Sequence, residues 1–178
     1  PTRRCAGLAA SLALSPKGTV PVLELDETVL EESLDIFDWA LGQHDPQNWI
    51  DPNTDSFAAV KALVAACDFE FKPALDHYKY ADRHPEHSQD YYRQQCSDYL
   101  NKLNSILQQQ ANLIRPAVTL ADIAIFPFIR QFSMVDQHWF MQSPYPALRA
   151  WLESLLASAL FAQVMDKNLN QKTSNTAL

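Results

Sequence analysis

The sequence predicts an α+β protein in which a β-hairpin and one helix precede an all-helical domain. Three observations predict it. Only three glycines occur among 178 residues, whereas eleven prolines fall mainly between apolar-periodic segments, the layout of helices separated by stiff connections. One early stretch, Val20 to Leu30, has strand character. A polar run from Gln43 to Asn53 then separates that stretch and its helix from the rest of the chain.

In chain order, Val20, Val22, Leu23 and Leu25 lead to the turn-forming Asp26-Glu27 and on to Thr28-Val29-Leu30, which reads as a hairpin. From Glu31 the apolar spacing becomes helical. Leu34, Ile36, Phe37, Trp39, Ala40 and Leu41 are apolar, Asp35 and Asp38 are polar, and Gly42 is the expected C-cap. The run 43–53, rich in His, Asp, Pro, Gln and Asn, cannot build a packed element and reads as a linker, with domains over 1–43 and 54–166. Two long helical patterns follow, about Thr54 to Ala81 and His87 to Gln110, joined around Pro85 as a helical hairpin.

Val118-Thr119-Leu120-Ala121-Asp122-Ile123 opens the next helix. Thr119 can cap the amide of Asp122 while the Asp122 carboxylate returns to the Thr119 amide, a capping box with Asp in place of Glu or Gln. Val118 and Ile123 hold the two positions of a hydrophobic staple. Pro127, just past the first turn, predicts a kink or tightened turn near Ile123 to Pro127. Pro144-Tyr145-Pro146 introduces a last amphipathic helix through about Ala157, and the polar tail after Lys167 is expected to fray.

The totals exclude several classes of function. A hydrophobic content of 47% supports one substantial core, or a small domain packed on a larger one. The net charge of −7, with fourteen Lys and Arg in no basic run, argues against nucleic acid as a partner. No stretch approaches the roughly 18–20 apolar residues of a membrane span, and the start of the sequence lacks the layout of a secretory signal, so a soluble, cytoplasmic protein is expected. Cys5, Cys67 and Cys96 are widely spaced with no C-x-x-C pair, which fits a reducing compartment and no metal. Cys67 and Cys96 read as core thiols, and His84 and His87 as solvated loop residues.

Three segments, SPKGTVPVL at Ser15 to Leu23, EESLDIFDWAL at Glu31 to Leu41 and TLADIAIFP at Thr119 to Pro127, occur in an order that resembles the glutathione-transferase superfamily. The resemblance implies a thioredoxin-like N-terminal domain, of which the hairpin and helix are visible, followed by the all-α C-terminal domain of that family. It implies a cis Val20-Pro21 bond that leaves the backbone of Val20 free to pair with the cysteinyl unit of glutathione. A trans proline starting an edge strand is the alternative. Glu32 would face the γ-glutamyl ammonium, while the Ser33 hydroxyl, its amide and the helix end hold the neighbouring carboxylate. An ordinary helix start with Ser33 as cap is compatible with the same residues, and Glu31-Glu32 leaves the register open by one. Lys17 would face the glycyl carboxylate, or is simply a solvated turn residue. Thr119 and Asp122 resemble the family's helix cap, whose role is folding.

The second substrate implied is a hydrophobic electrophile held between the domains, with Tyr78, Phe128, Phe132 and Trp139 as aromatic candidates; core packing is the other reading of these four. Fourteen residues precede Ser15, fewer than the roughly 30 of a βαβ unit, so the thioredoxin-like domain reads as incomplete. Pro1 to Cys5 resembles the family's first helix, which puts the catalytic position near or upstream of Pro1. Cys5 and Thr2 are the candidates within the sequence for activating the thiol. The function implied is detoxifying conjugation of glutathione, as co-substrate, to the electrophile by a homodimer. A glutathione-dependent thiol reductase or dehalogenase with a first-helix cysteine, and a non-catalytic interaction module, are the alternatives.

Overall fold

The computed structural model describes residues 21–26, 28–51 and 57–166. The chain divides into two units, Pro1–Asp51 and Pro52–Leu178.

In the first unit, β1 (Leu23–Glu24) and β2 (Val29–Leu30) pair antiparallel, with Leu23 opposite Leu30 and Glu24 opposite Val29. The amide of Leu25 donates to the Thr28 carbonyl at 2.8 Å and closes the hairpin. Leu23 is buried and Glu24 exposed, the two-residue alternation of a strand with one covered face. Helix α1 (Ser33–Gln43) follows, with Leu34, Ile36, Phe37, Trp39 and Leu41 half-buried. It does not stop at Gly42. The helix runs to Gln43, the cap is His44 in an extended conformation, and the His44 amide donates to Ala40 at 3.1 Å. A Cβ at Gly42 would meet nothing within 4 Å, so neither space nor a left-handed turn requires glycine there.

The segment expected to be a plain linker has local order. The Asp45 carboxylate accepts from the amides of Trp49 at 2.9 Å and Ile50 at 3.0 Å, and Asn48 turns the chain with a φ of 54°. One short acidic side chain thus supplies the bonds that a packed element would otherwise provide.

The second unit begins with a rod in three parts, α2 (Phe57–Ala66), a π-helical turn (Cys67–Phe71) and α3 (Lys72–Lys79). A short 3₁₀ turn (Ala81–Arg83) ends it. The chain returns through α4 (Gln89–Gln95), capped by Ser88 Oγ accepting from the Tyr91 amide at 3.2 Å, and α5 (Ser97–Leu107). The expected hairpin is present, with α3 packed on α4, and its return arm is broken at Cys96.

Helix α6 (Leu120–Val135) is the centre of this unit, burying Leu120, Ile125, Ile129 and Phe132 against α2, α3 and α8 (Pro146–Leu156). It continues through Pro127, which is exposed. The missing N–H therefore costs one backbone bond, to the carbonyl of Ile123, without ending the helix. Helix α7 (Gln137–Gln142) is capped by Asp136 Oδ1 accepting from the Trp139 amide at 2.9 Å. Helix α8 has no cap from its own flank. Asn104 on α5 reaches across, its Oδ1 accepting from the amides of Ala147 at 3.1 Å and Leu148 at 3.2 Å. A further helix, α9 (Ala159–Met165), lies beyond the end expected from sequence, started by Ser158 Oγ accepting from the Phe161 amide at 3.1 Å. The predicted frayed tail after Lys167 lies outside the described residues.

Candidate functional site

The hairpin register determines which residues share an end of the first unit. Carried two positions beyond Leu23 opposite Leu30, it sets Pro21 across from Glu32. Pro21, Glu32 and Ser33 are all exposed, whereas Val22 and Leu23, next in the strand, are buried. The helix start settles the position of the Glu-Ser pair. Glu32 is the N-cap, with φ −108° and ψ 139° and no side-chain capping bond, and Ser33 is the first helical residue. Ser33 is therefore not the cap.

The first intrahelical bond runs from the Ile36 amide to Glu32 at 3.1 Å. The amides of Ser33, Leu34 and Asp35 thus have no partner within the helix and point from its positive end. Hydroxyl, amides and dipole together form a set of donors for a carboxylate, and the neighbouring Glu31, Glu32 and Asp35 supply negative charge for an ammonium beside it. Zwitterionic amino-acid ends have this pairing of charges. Val20 and Lys17, as well as Cys5 and Thr2, lie outside the described residues.

The second unit is organised by a buried carboxylate. Asp122 is 0% exposed and closes the capping box with Thr119. Its Oδ2 accepts from the Thr119 amide at 2.8 Å and the Thr119 hydroxyl at 2.7 Å. Its Oδ1 accepts from the Leu113 amide and from Trp151 Nε1, both at 2.9 Å. Four donors offset the desolvation of one carboxylate, and they come from α6 and its entry, the loop before it, and α8. The sequence shows the Thr119 arm only, because Trp151 is 29 residues away.

The four aromatic candidates separate into two groups. Tyr78 and Phe132 are each 1% exposed, with ring centroids 5.2 Å apart, and Phe132 also meets Phe71 at 5.9 Å. They are enclosed in the core, in keeping with the core-packing reading of these two residues. Phe128 and Trp139 are half-buried, and each lies under a cation. Lys72 Nζ sits 4.4 Å from the Phe128 centroid, and the Arg93 guanidinium 4.3 Å from that of Trp139. Arg93 also pairs with Asp90 at 3.0 Å and Asp136 at 3.7 Å. Burial raises the Tyr78 hydroxyl above its ordinary range, against a hydrogen bond from Arg93 that lowers it.

Sequence reading missed Phe69, which the π turn leaves 82% exposed between an Asp68–Lys72 ion pair and Glu70. Helical periodicity gives no sign of such a turn. Cys67 and Cys96 are 1% and 0% exposed. Burial pushes the Cys67 thiol up to about 11, with a hydrogen bond to Tyr99 pulling the other way, and burial pushes Cys96 to about 12. Neither is poised as a nucleophile. Among the described residues there is no group of three or more His, Cys, Asp or Glu that could hold a metal, and no helix long and apolar enough to cross a membrane.

Solved structures share this architecture. A glutathione transferase, URE2P6, from Phanerochaete chrysosporium in complex with oxidised glutathione superimposes with a TM-score of 0.75 at 20% identity, over 89% of this chain and 76% of that one. A glutathione S-transferase III in apo form gives 0.72 at 18% identity, over 88% and 76%. A glutathione S-transferase from Xanthobacter autotrophicus Py2 gives 0.65 at 22%, over 85% and 74%. Among curated proteins, none matches the chain. Residues 22–154 match the family profile of the glutathione S-transferase C-terminal domain, a span that takes in α1, the α2–α3 rod and the whole Asp122 centre. By that match over most of its length, the chain belongs to the glutathione S-transferase family.

Proposed function

We propose that the chain binds glutathione at the Pro21 end of the hairpin and the head of α1, and conjugates it to a hydrophobic electrophile. The observation that carries the reading is the position of Ser33. An exposed hydroxyl and the free-ended amides of an 11-residue helix stand beside the acidic Glu32, opposite Pro21 in register. That geometry suits the carboxylate and ammonium of a γ-glutamyl group. Val20 would pair through its backbone with the cysteinyl unit, and Lys17 would face the glycyl carboxylate.

Conjugation requires glutathione as its thiolate, so a donor or cation near the sulfur must lower its pKa. The buried, protonated Cys67 and Cys96 do not fill that role, and Thr2 and Cys5 are the candidates for it. The electrophile is expected against the accessible aromatic surface of the helical unit, at Phe128 and Trp139. We take the working form to be a cytoplasmic homodimer, which sedimentation tests directly.

Calorimetric titration with glutathione tests binding, and turnover of an aromatic halide tests conjugation. Loss of affinity in Ser33→Ala with an unchanged fold supports the site. Absence of any binding by the wild-type chain refutes the reading.

A further inference from the structure

Sulfur is distributed unevenly between the surface and the interior. The sequence has three methionines, and all three are exposed: Met134 63%, Met141 51% and Met165 52%. Methionine is an adaptable filler of irregular cores, yet the buried apolar set of the helical unit is built from Leu, Ile, Val, Ala, Phe, Tyr, Trp and Cys with no methionine among them. The two thiols of the same unit are enclosed, Cys67 within the π turn and Cys96 between α4 and α5.

We propose that Met134, Met141 and Met165 are the oxidant-reactive modification sites of the helical unit, taking a single oxygen atom from a hydroperoxide while Cys67 and Cys96 stay reduced. In an unfolded chain the order is the reverse, since a thiolate is the stronger nucleophile toward peroxide. Oxidation of cysteine requires both the thiolate and access, and the fold withholds access from each. A thioether needs no deprotonation, so exposure alone decides its reactivity.

The thioether sulfur attacks the terminal peroxide oxygen, the O–O bond breaks and a sulfoxide S–O bond forms. Sulfur is oxidised by two electrons, and hydrogen peroxide is reduced to water. Three sulfoxides can form without unfolding, because a polar group on an exposed side chain remains solvated. They are reversible by thiol-dependent methionine sulfoxide reduction, whereas overoxidised cysteine is not recovered in this way.

The test treats the full chain, without glutathione, with increasing hydrogen peroxide and follows it by peptide mass mapping and thermal melting. Expected are gains of about 16 Da on each of the three methionine peptides, none on the Cys67 and Cys96 peptides, and a melting shift below about 2 °C. Sulfoxide reductase with dithiothreitol should remove all three oxygens. In concentrated urea the cysteines should react first. Replacing all three methionines (Met134→Leu, Met141→Leu, Met165→Leu) should abolish oxygen uptake by the folded helical unit. Oxidation of Cys67 or Cys96 ahead of the methionines in the folded protein, or a methionine left unreacted at the point of unfolding, overturns the proposal. The outcome does not depend on whether glutathione binds.

Discussion

Replacing Asp122 by alanine removes one acceptor from four donors at once. The Thr119 arm is a helix cap, and losing such a cap costs about 1 kcal/mol. The Leu113 amide and Trp151 Nε1 lie in buried surroundings, and each donor left without a partner costs about 1–3 kcal/mol. The carboxylate's own desolvation is recovered, and a water entering the cavity satisfies part of the remainder, so the sum falls to about 4 kcal/mol. That places Asp122→Ala among the most damaging single changes available to this chain. For a protein of this size it corresponds to a melting shift of about 8–16 °C. Urea unfolding followed by near-UV circular dichroism gives the free energy directly. A double-mutant cycle with Trp151→Phe should add a coupling of about 1–2 kcal/mol, because the two side chains share a bond across 29 positions. A loss below about 1 kcal/mol in Asp122→Ala, or additivity in the cycle, would refute the claim that one carboxylate joins the α6 entry to α8.

Ser33→Ala should weaken glutathione binding about 10- to 100-fold, the value of one charge-assisted hydrogen bond, with an unchanged melting temperature; calorimetry and melting together check it. Gly42→Ala should stabilise the first unit by about 0.5–1 kcal/mol, since the position is helical and open; a loss of stability would show that the glycine is required. The thiols give a pH dependence whose sign is fixed. Their ordinary value is 9.0 and their folded values are about 11 for Cys67 and about 12 for Cys96, so the folded chain holds these protons more tightly. Their contribution is complete below about pH 9 and is lost as pH rises through the folded values. Urea midpoints across that range measure it, and native-state alkylation of either cysteine at pH 8, as fast as in the unfolded chain, would contradict it.

Features whose causes lie close together in the sequence were legible. The hairpin, the start of α1, the Thr119–Asp122 pair and the α3–α4 turn all follow from neighbours within a few residues. The remaining features depend on distant partners or small shifts in phase. Asn104 caps α8 from 43 residues away, and Trp151 completes the Asp122 centre from 29. Ser158 is a regular N-cap signal, masked in the sequence because the apolar run of α8 ends just before it. The Asp45 turn was hidden by a composition that looks merely polar. At the proposed site, Glu32 and Ser33 were legible through their motif, whereas exposure distinguishes Phe128 and Trp139 from Tyr78 and Phe132, and spacing carries no record of exposure.

The π turn at Cys67–Phe71 also changes what the rod containing it can do. Val60 and Tyr78 are 18 residues apart, five full turns of an ideal α-helix, and would share one azimuth on a straight cylinder. One residue of extra winding moves them apart by roughly 100°. The rod therefore has two buried bearings, with α2 facing α6 and α3 facing α4 as well as α6. Rewinding the turn as regular α-helix with every residue kept would bring the bearings back into phase and swing Leu75 and Tyr78 out of the interior, whereas deleting one residue within it removes the extra winding and leaves the offset of roughly 100° in place. In this segment the winding of five residues decides which faces of the flanking helices are buried.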